Sequence, residues 1–285
     1  MLAGIEAGGT KFVCAYGEKP DAIAATATFP TESPEATFAR CRAFFEGAGV
    51  AFDALGVAAF GPLGVDPTAA DYGVVGRTPK PLWAGAGYLE GFRGLARKIV
   101  VDTDVSGAAL AEQRYGAGSG RRVVAYVTVG TGVGAGVVSD GRILKGRSHY
   151  ELGHIRPPHD RARDPYAGRC PAHGDCLEGL ASGPAVIDRW AADLSALAPS
   201  HPAHALEADY LAHLMLTLAL SHAPDVVVLG GGVAKAPGLI DKVRMRTAAL
   251  IAGYVDMPEI APPGLGDKAG VVGALALAED AAGQG

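Results

Sequence analysis

The stretch that most constrains how this chain can fold runs from Glu151 to Pro184, ELGHIRPPHDRARDPYAGRCPAHGDCLEGLASGP. It is polar and rich in Gly and Pro, within a chain that is 49% hydrophobic, and it shows no helical or strand period. A segment this long without secondary structure keeps its place in a compact protein only when something ties it down. Cys170, His173 and Cys176 stand as Cys-x2-His-x2-Cys, with His154 upstream. That is the ligand type and count of a tetrahedral structural zinc site. Two carboxylates, Glu151 and Glu178, bracket the set. The bland alternative is two buried thiols and two surface histidines. The tight spacing within so polar a loop favours the metal.

Bulk properties narrow the class of protein. A length of 285 residues suits two ordinary domains or one large one. A net charge of −5 and the lack of any Lys/Arg-rich run argue against nucleic acid as a partner. No apolar run reaches the roughly 18 residues of a membrane helix. Met1–Ile5 lacks the basic start and long apolar core of a signal peptide, and Glu6 interrupts it at once. Four cysteines, two of them within the metal motif, suit a reducing cytoplasm better than a disulfide scaffold. With 41 glycines in the chain, an isolated Gly-rich match is weak evidence.

Residues 2–5 and 12–16 read as a hairpin turning at Gly8-Gly9. The same turn reads equally as a phosphate loop, with Thr10 adding a hydroxyl and Lys11 a cation. Residues 34–48 read as a packing helix with Ser33 as N-cap before Pro34. LGVAAFG, at 55–61, is a buried strand ending in the Gly61-Pro62 corner. A buried strand at Ile99–Val101 runs into Asp102-Thr103-Asp104 and then a helix. Asp104 thus stands at a strand's carboxyl end, where α/β proteins place reactive groups, although one acid of the pair can simply cap the helix. Residues 123–144 read as three strands joined by a Gly-rich turn and by Asp140-Gly141. The strand–turn–strand layout of the N-terminus recurs here, with Thr131 beside Gly132 as Thr10 stands beside Gly9. Two such hairpins suggest similar half-folds clamping a polyphosphate between them. Helices follow at about 184–197 and about 204–222. A buried strand then delivers Gly230-Gly231-Gly232 to a helix start, a seat for a nucleotide's sugar and base. Residues 268–282 form a terminal helix.

These residues together resemble sugar kinases of the repressor/ORF/kinase (ROK) family, and within it the bacterial fructokinases. The resemblance covers essentially the whole chain: EAGGTKFVCA (6–15), FPTESPEAT (29–37), FGPLG (60–64), TPKP (78–81), DTDV (102–105), VGTGVGAG (129–136), ELGH (151–154), CPAHGDCLEGLASGPA (170–185) and LGGGVA (229–234). It implies an α/β protein with an actin-like ATPase, ribonuclease H-like fold of two domains and a zinc-stapled loop. Residues 1–112 with the terminal helix 268–285 would form the smaller domain, and 113–267 the larger, which carries the zinc loop 151–184. It also implies a homodimer.

By the same resemblance, Asp104 is the catalytic base and Glu151, His154 and Glu178 bind sugar hydroxyls beside Thr103 and Gly61. Glu6, Gly8, Gly9, Thr10, Lys11, Thr131 and Gly132 belong to the ATP phosphates, with Glu6 reaching Mg²⁺ through water. Gly230–Gly232 belong to the adenosine. His154, Cys170, His173 and Cys176 are the zinc ligands, with His173 where many members have cysteine. His159 remains a rival to His154, because spacing alone does not choose. One departure from the family is Thr103-Asp104-Val105-Ser106 where Asn-Asp-x-Asn is common; Thr103 lacks the amide, and Ser106 is expected to cap the helix. The expected reaction is transfer of the ATP γ-phosphoryl group to the 6-hydroxyl of D-fructose. Glucose, mannose or an N-acylhexosamine is the alternative substrate, and a sugar-sensing regulator without catalysis the alternative class.

Overall fold

The computed structural model describes residues 1–78 and 80–283. Pro79 of the TPKP segment and residues 284–285 lie outside the described residues. In chain order the first half contains β1 (Leu2–Ala7), β2 (Lys11–Lys19), β3 (Ala22–Pro30), α1 (Pro34–Glu46), β4 (Phe52–Ala59), α2 (Tyr88–Gly91), β5 (Ala96–Thr103) and α3 (Asp104–Tyr115). The second contains β6 (Val123–Val129), β7 (Val133–Ser139), β8 (Arg142–Ile143), α4 (Leu177–Ala181), α5 (Gly183–Trp190), α6 (Pro202–His222), β9 (Val226–Gly230), α7 (Leu239–Ile251), β10 (Glu259–Ala261) and α8 (Ala269–Gly283).

Two five-stranded sheets repeat one design. The first has the order β3-β2-β1-β4-β5 and the second, counted from its other edge, β8-β7-β6-β9-β10. In each, an antiparallel meander supplies three strands and two further strands join in parallel. The recurrence of glycine hairpins in the sequence is therefore a recurrence of whole sheets. β1, β4, β6 and β9 are almost continuously buried, as parallel central strands covered on both faces must be.

Helices α8 and α3 form the layer between the sheets. α8 packs on β1, β4 and β5, and α3 on β6 and β7. Their closeness depends on missing side chains: a Cβ at Gly273 would come within 2.3 Å of the Gly107 backbone, and one at Gly56 within 1.9 Å of Ala274 O. The outer face of the first sheet is closed by α1, α2 and an aromatic cluster of Phe12, Phe38, Trp83, Tyr88 and Phe92. Trp83 Nε1 donates to Glu32 O at 2.8 Å, which pins Trp83 beside the end of β3. Helices α4 to α7 close the outer face of the second sheet.

Several elements differ from the sequence expectation. The first hairpin continues into a third strand, β3, whose Ala/Thr-rich alternation leaves one row exposed and the other half-buried. Ser33 caps α1 as expected, accepting from Ala36 N at 3.3 Å. The expected helix over about 184–197 is shorter: α5 stops where Ala191 turns to φ 54°, and a separate 3-10 turn follows at Leu194–Ala196. Gly230–Gly232 lead into one 3-10 turn, Val233–Lys235, and α7 begins only after Gly238 at φ +73°. At α3 the cap is Thr103, not Ser106: Thr103 Oγ1 accepts from Ser106 N at 3.2 Å and donates to Ser106 Oγ at 2.7 Å. A cap must precede the first helical residue, and Ser106 already lies inside the turn.

Candidate active site and metal centre

Strand register brings the singled-out residues to one edge of each sheet. Ala7 is paired with Ala59 and Ala59 with Thr103, so the turn after β1, Gly61 after β4 and Asp104 after β5 share the carboxyl edge of the first sheet. In the second sheet Val129 pairs with Val133 and Thr128 with Gly230, which gathers Gly130–Gly132 and Gly230–Gly232 at the corresponding edge. α3 locks the two edges together. A Cβ at Gly136 would stand 2.5 Å from Val105 O, so the first turn of α3 lies directly on β7.

Both hairpin turns are held from below, with their tips left open. Gly8 N donates to Lys11 O at 3.0 Å and Thr31 Oγ1 to Gly8 O at 2.7 Å, while Gly9, Thr10 and Lys11 are exposed. Gly130 N donates to Gly132 O at 2.8 Å and Gly183 N to Gly130 O at 2.7 Å, with Thr131 exposed. Glu178, at the start of α4, accepts from Val133 N at 3.1 Å, and a Cβ at Gly132 would meet its Oε2 at 2.7 Å. Gly231, at φ +91°, lies against the Val129 backbone, a conformation and an approach that only glycine tolerates. Open turns of this kind, with backbone N–H groups at their tips, are chemically suited to anionic oxygens.

Three acidic groups lie near enough to influence one another: the charge of Asp104 acts on Glu6, and that of Glu151 on Asp104. Burial raises the Asp104 carboxyl to about 6, against the pull of Val105 N–H and the His149 ring; Glu151 raises it further. Val105 N donates to Asp104 Oδ1 at 2.8 Å. Glu6 is pushed up to about 7, first by burial and then by the charge of Asp104, while Lys11 pulls it down. Its carboxyl group abuts Gly270 at the start of α8. Asp102, the neighbouring acid, is occupied elsewhere: it accepts from Lys145 Nζ at 3.0 Å. Thr103 is buried and its hydroxyl is used within the cap. Gly61 precedes Pro62 through a cis peptide, and a Cβ there would meet His149 Nε2 at 3.2 Å.

The cysteine–histidine set is assembled. The ligand atoms of His154, Cys170, His173 and Cys176 all lie within 4.8 Å of one another. His154 Nδ1 is 3.3 Å from Cys176 Sγ and 3.8 Å from Cys170 Sγ, and His173 Nδ1 is 3.7 Å from Cys170 Sγ. A tetrahedron with zinc–sulfur and zinc–nitrogen bonds of ordinary length has edges of about 3.5 Å, so the four donors fit zinc. His159 is not among them. Its Nε2 donates to Asp164 O at 2.9 Å and its Nδ1 meets Asp175 Oδ2 at 3.2 Å. The other nitrogen of His154, Nε2, faces Glu151 Oε2 at 3.9 Å. Gly153 makes this possible: a Cβ there would strike Val133 O at 1.8 Å, so the turn carrying His154 lies flat on β7.

The segment is tied by more than the four donors. Asp175 accepts from Arg156 and Arg161, and buried Asp164 accepts from Tyr210 Oη at 2.6 Å beside Arg189. It also contains secondary structure that its composition hid: the 3-10 turn Leu152–His154 and α4.

The family model for ROK matches residues 2–281. The chain belongs to the ROK family. Among curated relatives, this ROK chain is 40% identical to a putative fructokinase of Bacillus subtilis, over 99% of this chain and 96% of that one. It is 41% identical to a fructokinase of Zymomonas mobilis, over 96% and 95% respectively. A ROK glucokinase from Streptomyces griseus, solved with glucose and AMPPNP, superposes with a TM-score of 0.78 at 26% identity and covers 98% of this chain and 99% of its own. The paired sheets of the ROK chain are accordingly the actin-like ATPase architecture. Among the described residues no helix is long and apolar enough to cross a membrane.

One group at the ROK site escaped the sequence reading. His149 Nε2 lies 2.9 Å from Glu151 Oε1, and its ring faces Gly61. The signal was the His-x-Glu spacing, since residues two apart in extended chain share a face. Lys145, which reaches Asp102 and Val65 O from beyond β8, carried no local signal at all.

Proposed function

We propose that the protein is an ATP-dependent hexose kinase, with D-fructose phosphorylated at its 6-hydroxyl as the preferred reaction. What carries the proposal is Asp104 at the carboxyl edge of the first sheet, near enough to feel the charge of Glu151, which itself faces the outward nitrogen of His154, with one open glycine turn at the edge of each sheet. Asp104 is the base that accepts the hydroxyl proton. Because phosphoryl transfer passes through a loose transition state, the proton leaves late and positioning does most of the work. A carboxyl group at about 6 is largely ionised at neutral pH, ready to accept.

Glu151, His154 and Glu178 hold sugar hydroxyls, and Gly61 and Thr103 shape the wall beside them. Thr103 contributes backbone and bulk only, its hydroxyl being spent in the helix cap. Gly8, Gly9, Thr10, Lys11, Thr131 and Gly132 receive the phosphates, and Gly230–Gly232 the adenosine. Lys11 and the turn N–H groups meet charge that grows on the transferred group. Glu6 would hold a water of magnesium, whose double charge would draw its carboxyl back down from about 7. Zinc on His154, Cys170, His173 and Cys176 would supply a rigid cross-link and no chemistry. Through His154 that cross-link fixes the sugar site.

In this reading residues 1–112 with 268–285 form one domain and 113–267 the other, and closure over the substrates limits hydrolysis of ATP by water. Glu112 supports the division. Its buried carboxylate accepts from Ala117 N at 2.7 Å, Gly264 N at 3.0 Å and Leu265 N at 3.0 Å, tying together the two places where the chain crosses over. A homodimer and a cytoplasmic location complete the reading. Fructose is favoured because relatives at 40% and 41% identity bear the name fructokinase; glucose is the second reading, favoured by the solved glucokinase. A coupled assay of ADP release over fructose, glucose, mannose and N-acetylhexosamines, with and without chelator, tests both. No ADP release with any hexose refutes the kinase; a preference for glucose refutes the finer assignment.

A further inference from the structure

His149 lies on irregular chain between β8 and the 3-10 turn, yet its side chain is only 10% exposed. Nothing about its own segment requires this burial. The ring is held at two points. Nε2 lies 2.9 Å from Glu151 Oε1, and since an ionised carboxylate only accepts, that nitrogen carries the hydrogen. The same nitrogen stands 3.2 Å from where a Cβ at residue 61 would sit, and Cε1 stands 3.8 Å from it. A side chain at position 61 would therefore crowd the ring and push it by a few tenths of an ångström. Nδ1 is buried beside the Leu63 backbone without a hydrogen bond of ordinary geometry. A buried ring that leaves one nitrogen poorly satisfied is costly, and the bond to Glu151 is what it gains in return.

The other end of Glu151 explains the arrangement. With Oε1 held by His149, Oε2 is the free oxygen, and it faces His154 Nε2 at 3.9 Å. The Glu151 side chain is 50% exposed. An unheld glutamate there would sample several rotamers, and ordering it on binding would weaken affinity.

We propose that His149 is a positioning residue for the hexose: it fixes the Glu151 carboxylate so that Oε2 and His154 Nε2 are presented together to sugar hydroxyls, and residue 61 is glycine to admit its ring. The inference rests on the reading that Glu151 and His154 hold the sugar. Two oxygen- and nitrogen-bearing groups fixed at this separation suit neighbouring hydroxyls on one ring, which a mobile carboxylate would not distinguish from a single hydroxyl.

The test compares His149→Ala, His149→Gln, Gly61→Ala, Glu151→Ala and the double variant His149→Ala/Glu151→Ala. Hexose affinity is measured by calorimetry, KM for hexose and for ATP and kcat by ADP release, and bound zinc by elemental analysis. His149→Ala is expected to weaken hexose binding roughly ten- to a hundredfold, the worth of a hydrogen bond to a charged group. ATP KM and zinc content should stay at the wild-type level. Gln carries an amide N–H close to the place of Nε2 and should recover most of the loss, while Gly61→Ala, which only crowds the ring, should weaken hexose binding less than His149→Ala does. The double variant should lose no more than Glu151→Ala alone, because one acts through the other.

Unchanged hexose affinity in His149→Ala, no recovery by Gln, or additive losses in the double variant overturns the proposal. Loss of zinc or of ATP affinity in step with hexose affinity also overturns it, in favour of a general structural role. Should Glu151→Ala itself leave hexose binding intact, the sugar-site reading fails first, and that outcome is distinguishable from failure of His149 alone.

Discussion

Replacing Asp104 by Asn should separate two quantities that the native residue sets against each other. Asn keeps the shape, and its Oδ1 can still accept the 2.8 Å bond from Val105 N. What it removes is a charge held where solvent is scarce. The carboxyl stands at about 6 in the folded protein against 3.8 in the open chain, a gap worth about 3 kcal/mol. The sign follows from proton binding. Between the two values the folded chain holds more protons, so raising the pH costs stability until about pH 6 and no more beyond. Asp104→Asn should therefore raise the unfolding free energy by about 2–3 kcal/mol at pH 8, with the gain shrinking towards zero near pH 4. Turnover should fall about 10²- to 10⁴-fold, the range of a general base, while hexose binding by calorimetry stays within a few-fold. Urea unfolding at pH 4, 6 and 8, paired with ADP release, reads both. Turnover within tenfold of wild type removes Asp104 as the base. A stability gain that is the same at pH 4 and pH 8, or absent, refutes the burial reasoning.

Wild-type kcat/KM should fall as pH drops through about 6, where Asp104 takes up its proton; a profile flat from pH 5 to 8 contradicts this. Removing metal with a strong chelator should lower hexose affinity more than ATP affinity and depress Tm, read by calorimetry and differential scanning; full hexose affinity in a demonstrably zinc-free sample excludes the cross-link. Gly56→Ala should destabilise by at least about 1–3 kcal/mol, the cost of overpacking, because its Cβ would fall 1.9 Å from Ala274 O; a urea midpoint at the wild-type value would show that α8 has room to move. Glu207, buried in α6 with neither oxygen hydrogen-bonded among the described residues, has its carboxyl raised well above the usual range by burial. Glu207→Gln should thus stabilise the protein at pH 8 and change little at pH 4, by the same sign as Asp104; a lower Tm at pH 8 would reveal a partner for the charge.

Much of this was legible because the residues involved act locally. Glycine pairs at strand ends, Ser33 ahead of Pro34, and Cys170-x2-His173-x2-Cys176 each carry their geometry in their spacing, whereas only the fold puts His154 rather than His159 beside those three. Other features were not legible for reasons equally specific. β3 alternates Ala and Thr with only Ile23 and Phe29 as large apolar residues, too faint a period to set apart from loop. In α7 the buried stripe of Leu239, Val243, Thr247 and Ile251 is helical in period, but a threonine interrupts it and Gly238 obscures its start. Thr103 and Ser106 are interchangeable as caps by type, and only the backbone decides which precedes the helix. Lys145 with Asp102, and Glu112 with residues 264 and 265, join positions far apart in sequence, where no spacing rule reaches.

The place of α8 has a consequence for the order in which the molecule can be made. All five strands of the first sheet lie before residue 104, yet the inner face of that sheet is closed by Val271, Leu275 and Ala278. Domains commonly fold as they leave the ribosome, N-terminal part first. Here the earliest part to emerge must wait, with the groove above Gly4 and Gly56 uncovered, until the last turns of the chain have been synthesised.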